Sequence, residues 1–269
     1  MSLPADGKGG LRRLAAWPLI PIVTSLIVTA AVALALGVFA LAAGDNVWLG
    51  QDVKRGVAQN RVYCEEDRVH SSVRTPINSW SNLAYIAAGG WVLGRAIEVW
   101  RLERIFSTVG PRPAALETLR LDNALPVPLL LLSGLSTVSL GLGSFFYHAA
   151  LTRLMQQYDV ACMYWVMDAA IAATMWRWLR RLSALAPSPW LRPRRLLHLL
   201  PLLLLVLAAD LIFFYKKWEI SATEWFSAQL AVVSGSEALH ILLGWPPVCT
   251  SERQEKRTVR CCLPCRRPS

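Results

Sequence analysis

The stretch GLGSFFYHAALTRLMQQYD, Gly141 to Asp159, decides how the chain is read. A charge-free apolar run ends on His148, with Ser144 four residues before it. On a helix those two side chains share a face. Asp159 follows eleven residues after His148. Along one helix that is a rise of about 16 Å, too far to meet the histidine. The apolar run, about Ala124 to Leu151, has by then used its length. The chain must therefore turn back near Thr152 to Gln157, and a helical hairpin would bring Asp159 beside His148. No Gly or Pro marks that turn. The same residues also suit an interfacial histidine, a serine bonded to its own backbone and an aspartate capping the next helix. Ionisable groups at a membrane boundary make a functional site the default.

Composition extends this reading to the whole chain. Hydrophobic residues make up 54% of the sequence and charged residues only 17%. Soluble domains of this size carry about 25% charged residues. Long charge-free runs alternate with short arginine-rich stretches, as in a polytopic helical membrane protein. The net charge of +10 does not indicate nucleic acid, because the arginines flank apolar runs and form no separate basic domain. They read as topology signals and contacts to anionic head groups. The cysteines form no disulfide framework.

The expected fold class is all-α, a transmembrane helix bundle. Six runs approach the roughly 20 apolar residues that a span needs: Leu19 to Ala43, Ile77 to Leu93, Ala124 to Leu151, Val160 to Trp176, Leu196 to Tyr215 and Trp225 to Val248. The first run is about twice the length of a signal-peptide core, so it is expected to stay as a helix. Three regions result: a cytoplasmic N-terminal segment 1–18, a transmembrane domain 19–248 and a basic, cysteine-bearing tail 249–269. Arginines such as Arg12, Arg104, Arg112, Arg120, Arg192 and Arg257 occupy alternate connections, which places both termini in the cytoplasm. The loop Asp45 to Pro76, the end of the third span and the start of the fourth then lie on one non-cytoplasmic face.

In that loop, Glu65, Glu66 and Asp67 follow Tyr63 and Cys64. Consecutive acids suit a hard cation, and equally a solvated charge run. Asn78, Ser81 and Asn82 open the second span, where polar groups need partners. Asp168, His198 and Asp210 are further polar groups inside spans, and Asp168 is expected to pair with another span. The tail cysteines Cys261, Cys262 and Cys265 are candidates for palmitoylation.

The blocks CEE, NSWSN and GLGSFFYHAALTRLMQQYD, in this order, resemble the signature blocks of the alkaline ceramidases. The resemblance runs from about Tyr63 to Asp159. It implies a seven-helix fold and a zinc ion near one membrane face, with His148 as one of three ligands and Ser144 and Asp159 completing the site. It also implies a calcium ion held by Glu65 and Asp67. The substrate class it implies is a membrane lipid, a ceramide, whose amide bond is cleaved to sphingoid base and fatty acid. The membrane would be the plasma membrane or the endoplasmic reticulum and Golgi, depending on source.

One part of that pattern is missing. The family's other zinc ligands form a His-x-x-x-His pair, and the nearest stretch here, Ser236-Glu237-Ala238-Leu239-His240, has serine first. His240 lies some 15 residues after Trp225, about 22 Å along a helix that runs away from the His148 face. Three accounts stay open: a truncated or alternative product, a member without the activity, or a sixth segment that doubles back.

Overall fold

A computed structural model of the chain describes residues 19–51, 65–108, 125–185, 199–216, 219 and 221–243. Its elements are α1 (Leu19–Ala42), α2 (Pro76–Ser81), α3 (Leu83–Thr108), α4 (Val127–Ala150), α5 (Arg153–Leu185), α6 (Leu199–Lys216) and α7 (Ala222–Leu242). No strand occurs among the described residues. Only Asn82, itself helical at φ −68° and ψ −11°, separates α2 from α3. The two follow one another almost without interruption, so each of the six expected spans has a helical counterpart.

By length and composition, two helices are fit to cross a membrane unaided: α1 and α4, of 24 residues each. The expected six-span count is thus matched by helices but not by six self-sufficient apolar spans. The boundaries also need correction. α3 runs on past Leu93 to Thr108. Its charges are satisfied along the helix: Arg95 pairs with Glu98, and the Arg104 guanidinium stands 4.5 Å over the Trp100 ring. Such pairs keep polar turns helical beyond the apolar run. α5 begins at Arg153, well before Val160, and is 33 residues long. At about 1.5 Å per residue it reaches about 50 Å, beyond a hydrocarbon core of about 30 Å.

α3 lies between α1 and α4, α5 packs on α4, and α6 and α7 attach to α5. Small residues permit the closest crossings. A Cβ on Gly94 would stand 2.4 Å from Pro21 Cα, and one on Gly141 would stand 2.5 Å from Ile86 Cγ1. Close backbone approach of this kind is how helices gain packing energy where lipid removes the hydrophobic drive. Ser25 adds a hydroxyl bond to Ala87 O at 2.7 Å. α1 is therefore packed into the bundle, while Leu26, Ile27, Leu34 and Leu41 face outward.

Cross-links fix the helix directions. Tyr164 meets Phe213 and Asp168 meets Asp210, so α5 and α6 are antiparallel. Gln229 bonds Asp168 and Ser236 bonds Trp178, so α5 and α7 are parallel.

Candidate functional site

The last four carbonyls of a helix lack intrahelical partners. In α4 all four are satisfied. Leu151 N–H donates to Tyr147 O at 2.6 Å. Thr75 donates its N–H and its hydroxyl to His148 O, at 3.2 and 2.7 Å. Arg74 N–H donates to Ala149 O at 3.1 Å, and its guanidinium to Ala150 O at 3.4 Å. A positive charge at a helix C-terminus also suits the macrodipole. The expected meeting of the first loop with the end of the third span is thus a backbone clamp around His148.

The loop is itself anchored. Trp48 Nε1 donates to Ser72 O, and Ser72 Oγ to Ala40 O. His70, expected to be exposed, is exposed and bonded to Asn46 through Nδ1 at 2.7 Å. Beneath the clamp, Leu36, Val73, Phe145 and Ala149 form a buried apolar cluster with Trp80 and Phe146 against it.

The hairpin exists, but its turn is shorter and earlier than Thr152 to Gln157. Leu151 alone takes the left-handed conformation, at φ 53° and ψ 27°. Thr152 Oγ1 then accepts from Met155 N–H, and α5 starts at Arg153. Thr152 caps that helix, while Asp159 lies within it. The crossing brings Asp159 onto Gly143: an ideal Cβ on Gly143 would stand 3.4 Å from Asp159 Cα and 3.1 Å from Cys162 Sγ. Gly143 is the residue before Ser144, and His148 is one turn above Ser144 on the same face. His148 Nδ1 and Asp159 Oδ1 are both fully buried atoms. Glu65 lies within electrostatic reach of the His148 ring.

The remaining sequence candidates have structural partners. Glu65 accepts from Ile77 N–H at 2.8 Å, Asn78 N–H at 3.0 Å and Asn78 Nδ2 at 3.0 Å, and so caps the start of α2. Asp67 forms a two-pronged ion pair with Arg74, and the side chains are 6% and 5% exposed. Ser81 Oγ and Asn82 Nδ2 both donate to Asn78 O at 2.8 Å. Arg74 and Thr75 were not singled out from the sequence. Their only signal was an arginine and a threonine directly before the Pro76 that opens α2.

The stand-in for the missing histidine pair is far away. Ser236 Oγ accepts from Trp178 Nε1 at 2.6 Å, and Glu237 pairs with Arg177 at 2.5 Å. Trp178 follows Asp159 by 19 residues on α5, about 28 Å along the axis. α7 thus runs away from the His148 face and does not double back. Among the described residues, no three of His, Cys, Asp and Glu gather closely enough to hold a metal ion. His148 and Asp159 have the right donor chemistry for zinc, but the described residues do not complete the three protein ligands that such a centre takes. Tyr63, Cys64, His198, the His240 side chain, the tail cysteines and the loop arginines Arg12, Arg112, Arg120, Arg192 and Arg257 lie outside the described residues.

No curated protein and no solved structure matches the chain. A protein-family model described as ceramidase matches residues 60–259, which takes in the loop clamp, the Ser144–His148 face and Asp159. That match spans most of the 269 residues, and the chain belongs to the ceramidase family.

Proposed function

We propose that this protein hydrolyses the amide bond of a ceramide or a related N-acyl sphingoid lipid, releasing a sphingoid base and a fatty acid. The family supports a hydrolase acting on a lipid of this class. The observation that carries the residue assignment is the seating of Asp159 on Gly143, beside Ser144 and one turn from His148.

Amide hydrolysis needs an activated water, a donor for the developing oxyanion and a proton for the leaving amine. Asp159 takes the proton from the attacking water and returns it to the amine, a task a carboxylate performs when within hydrogen-bond reach. Ser144 Oγ donates to the carbonyl oxygen as charge develops on it. His148 lies on the Ser144 face, its carbonyl held by Thr75 while Arg74 holds those of Ala149 and Ala150. Zinc, which the resemblance implies, would bind His148 and supply a water of lowered pKa. The described residues do not complete its ligands, so no step above passes through it. A calcium ion at Glu65 and Asp67 would have to share carboxylates already bonded to α2 and to Arg74.

In this reading all six helical rods cross the membrane, with both termini cytoplasmic and the His148 face on the opposite side, in the plasma membrane or in the endoplasmic reticulum and Golgi. The second reading is a non-catalytic, lipid-binding member of the family. It is favoured by the placement of Ser236 and Glu237 at the far end of α5. Purified protein incubated with a long-chain ceramide separates the two. Release of fatty acid that His148→Ala and Asp159→Asn abolish, with about one zinc per chain, supports the enzyme. Ceramide binding without release, in metal-free protein, sinks it and leaves the lipid-binding member.

A further inference from the structure

Away from the His148 face, α5, α6 and α7 bury a second polar cluster. Asp168 is 5% exposed, Asp210 6% and Gln229 2%. Gln229 Nε2 donates to Asp168 Oδ1 at 2.7 Å. Asp210 lies against Asp168 across the seam of α5 and α6, about one turn from the Tyr164–Phe213 contact. Yet Asp168 Oδ2, Asp210 Oδ1 and Gln229 Oε1 are buried atoms that meet no N–H or O–H donor. The cluster therefore holds more acceptors than its own hydrogens fill.

An ionised carboxylate only accepts hydrogen bonds, whereas a protonated one also donates. Contact between Asp168 and Asp210 is thus a bond only if one of them carries a proton. Two buried carboxyls in contact do not both ionise, because each negative charge raises the cost of the other. Gln229 already supplies a donor to Asp168 Oδ1, so Asp210 is left to supply the one that the other carboxyl oxygen lacks. A proton held on Asp210 and donated towards Asp168 makes their contact a bond.

We propose that Asp168, Asp210 and Gln229 form a proton-binding site inside the bundle, in which one proton on Asp210 ties α6 to α5 while Gln229 ties α7 to the same aspartate. The site is independent of the hydrolysis reading. Its neighbours make the proton consequential. α6 and α7 join the rest of the described bundle through α5, and their other ties are few. On α5, Tyr164 packs on Phe213 and Gln157 bonds Phe214 O. On α7, Trp225 stacks on Phe213 at 4.0 Å. The ionisable groups nearby are Cys162, which lies within electrostatic reach of Asp210 and Asp159, and the Arg177–Glu237 pair further along.

A carboxyl that is protonated in the folded protein and ionised in the unfolded chain makes stability fall as pH rises from the unfolded chain's titration point to the folded protein's, and no further above it. Infrared spectra and thermal melting of the full-length protein in detergent test this. The wild type is expected to show a protonated-carboxyl band at neutral pH that Asp210→Asn removes and Asp168→Asn shifts. Its melting temperature falls by about 3–5 °C per pH unit while the folded protein holds a proton that the unfolded chain has released, and levels off once the folded protein also gives it up. Asp210→Asn, whose amide donates in the proton's place, melts at or above the wild type at neutral pH and loses the pH slope. Asp210→Ala, which has no donor, melts lower at every pH. A wild-type spectrum without the band overturns the proposal, as does a band or a slope that survives Asp210→Asn. Stabilisation by added sodium with no carboxyl band means that a metal cation holds the pair, and overturns it equally.

Discussion

Thr75 donates twice to the carbonyl oxygen of His148, through its N–H at 3.2 Å and its hydroxyl at 2.7 Å. The threonine is 1% exposed, so water cannot replace either bond. Thr75→Val keeps the shape and the backbone bond and removes the hydroxyl. One lost buried hydrogen bond costs about 1 kcal/mol, and the melting temperature falls by about 2–4 °C for a chain of this size. Hydrolytic rate, if present, should fall further than stability does, because the bond steadies the turn that carries His148. Thermal melting alongside a ceramide turnover assay reads both.

Arg74 and Asp67 form a buried ion pair that also supplies the clamp on α4. Removing one member leaves the other charge buried and alone, at a cost of about 3–5 kcal/mol. Arg74→Ala and Asp67→Ala are each expected to lower the melting temperature by about 10 °C. The double variant Arg74→Met with Asp67→Leu should recover much of that loss, because a buried pair replaced by apolar groups of similar volume is often neutral. If Asp67 instead serves mainly as a calcium ligand, the double variant will not recover, and a chelator will destabilise the wild type by a similar amount.

Leu151 combines two opposed effects. It holds φ at 53°, a region that costs a non-glycine residue about 1–2 kcal/mol. Its side chain is fully buried, and deleting such a leucine costs about 2–5 kcal/mol. Burial is the larger effect. Leu151→Gly should relieve the backbone and still destabilise, by about 1–3 kcal/mol net. Denaturant unfolding compared with Leu151→Ala, which keeps the strain and loses the side chain, isolates the backbone contribution as the difference between the two.

The same leucine explains where the sequence misleads. The hairpin at Asp159 followed from length alone, since α4 had run out of membrane. Its turn was invisible, because a buried leucine stands where Gly would have marked it. Hydropathy located every rod but not its ends, which are set by hydroxyl caps at Thr152 and Ser221. Asp168 visibly needed a partner on another span, but nothing local points to Gln229 or Asp210, 61 and 42 residues away. Glu65 and Asp67 read from the sequence as cation ligands or as a solvated charge run, and neither reading reveals Ile77, Asn78 and Arg74, which meet them only after the loop folds back.

The distance between α7's polar end and His148 gives the sharpest test of the arrangement. Ser236→His restores a His-x-x-x-His spacing with His240 in the sequence. In the structure, position 236 faces Trp178, about 28 Å along α5 from Asp159 by helical rise. The new imidazole therefore cannot reach a metal anchored at His148. Ser236→His is expected to leave ceramide turnover unchanged, whether the starting activity is measurable or zero. It should also lower stability by about 1 kcal/mol, through loss of the Trp178 bond. A gain in zinc content together with new or increased hydrolysis would mean that α7 folds back to the His148 face, and would sink both the parallel packing of α5 with α7 and the separation of the two polar clusters.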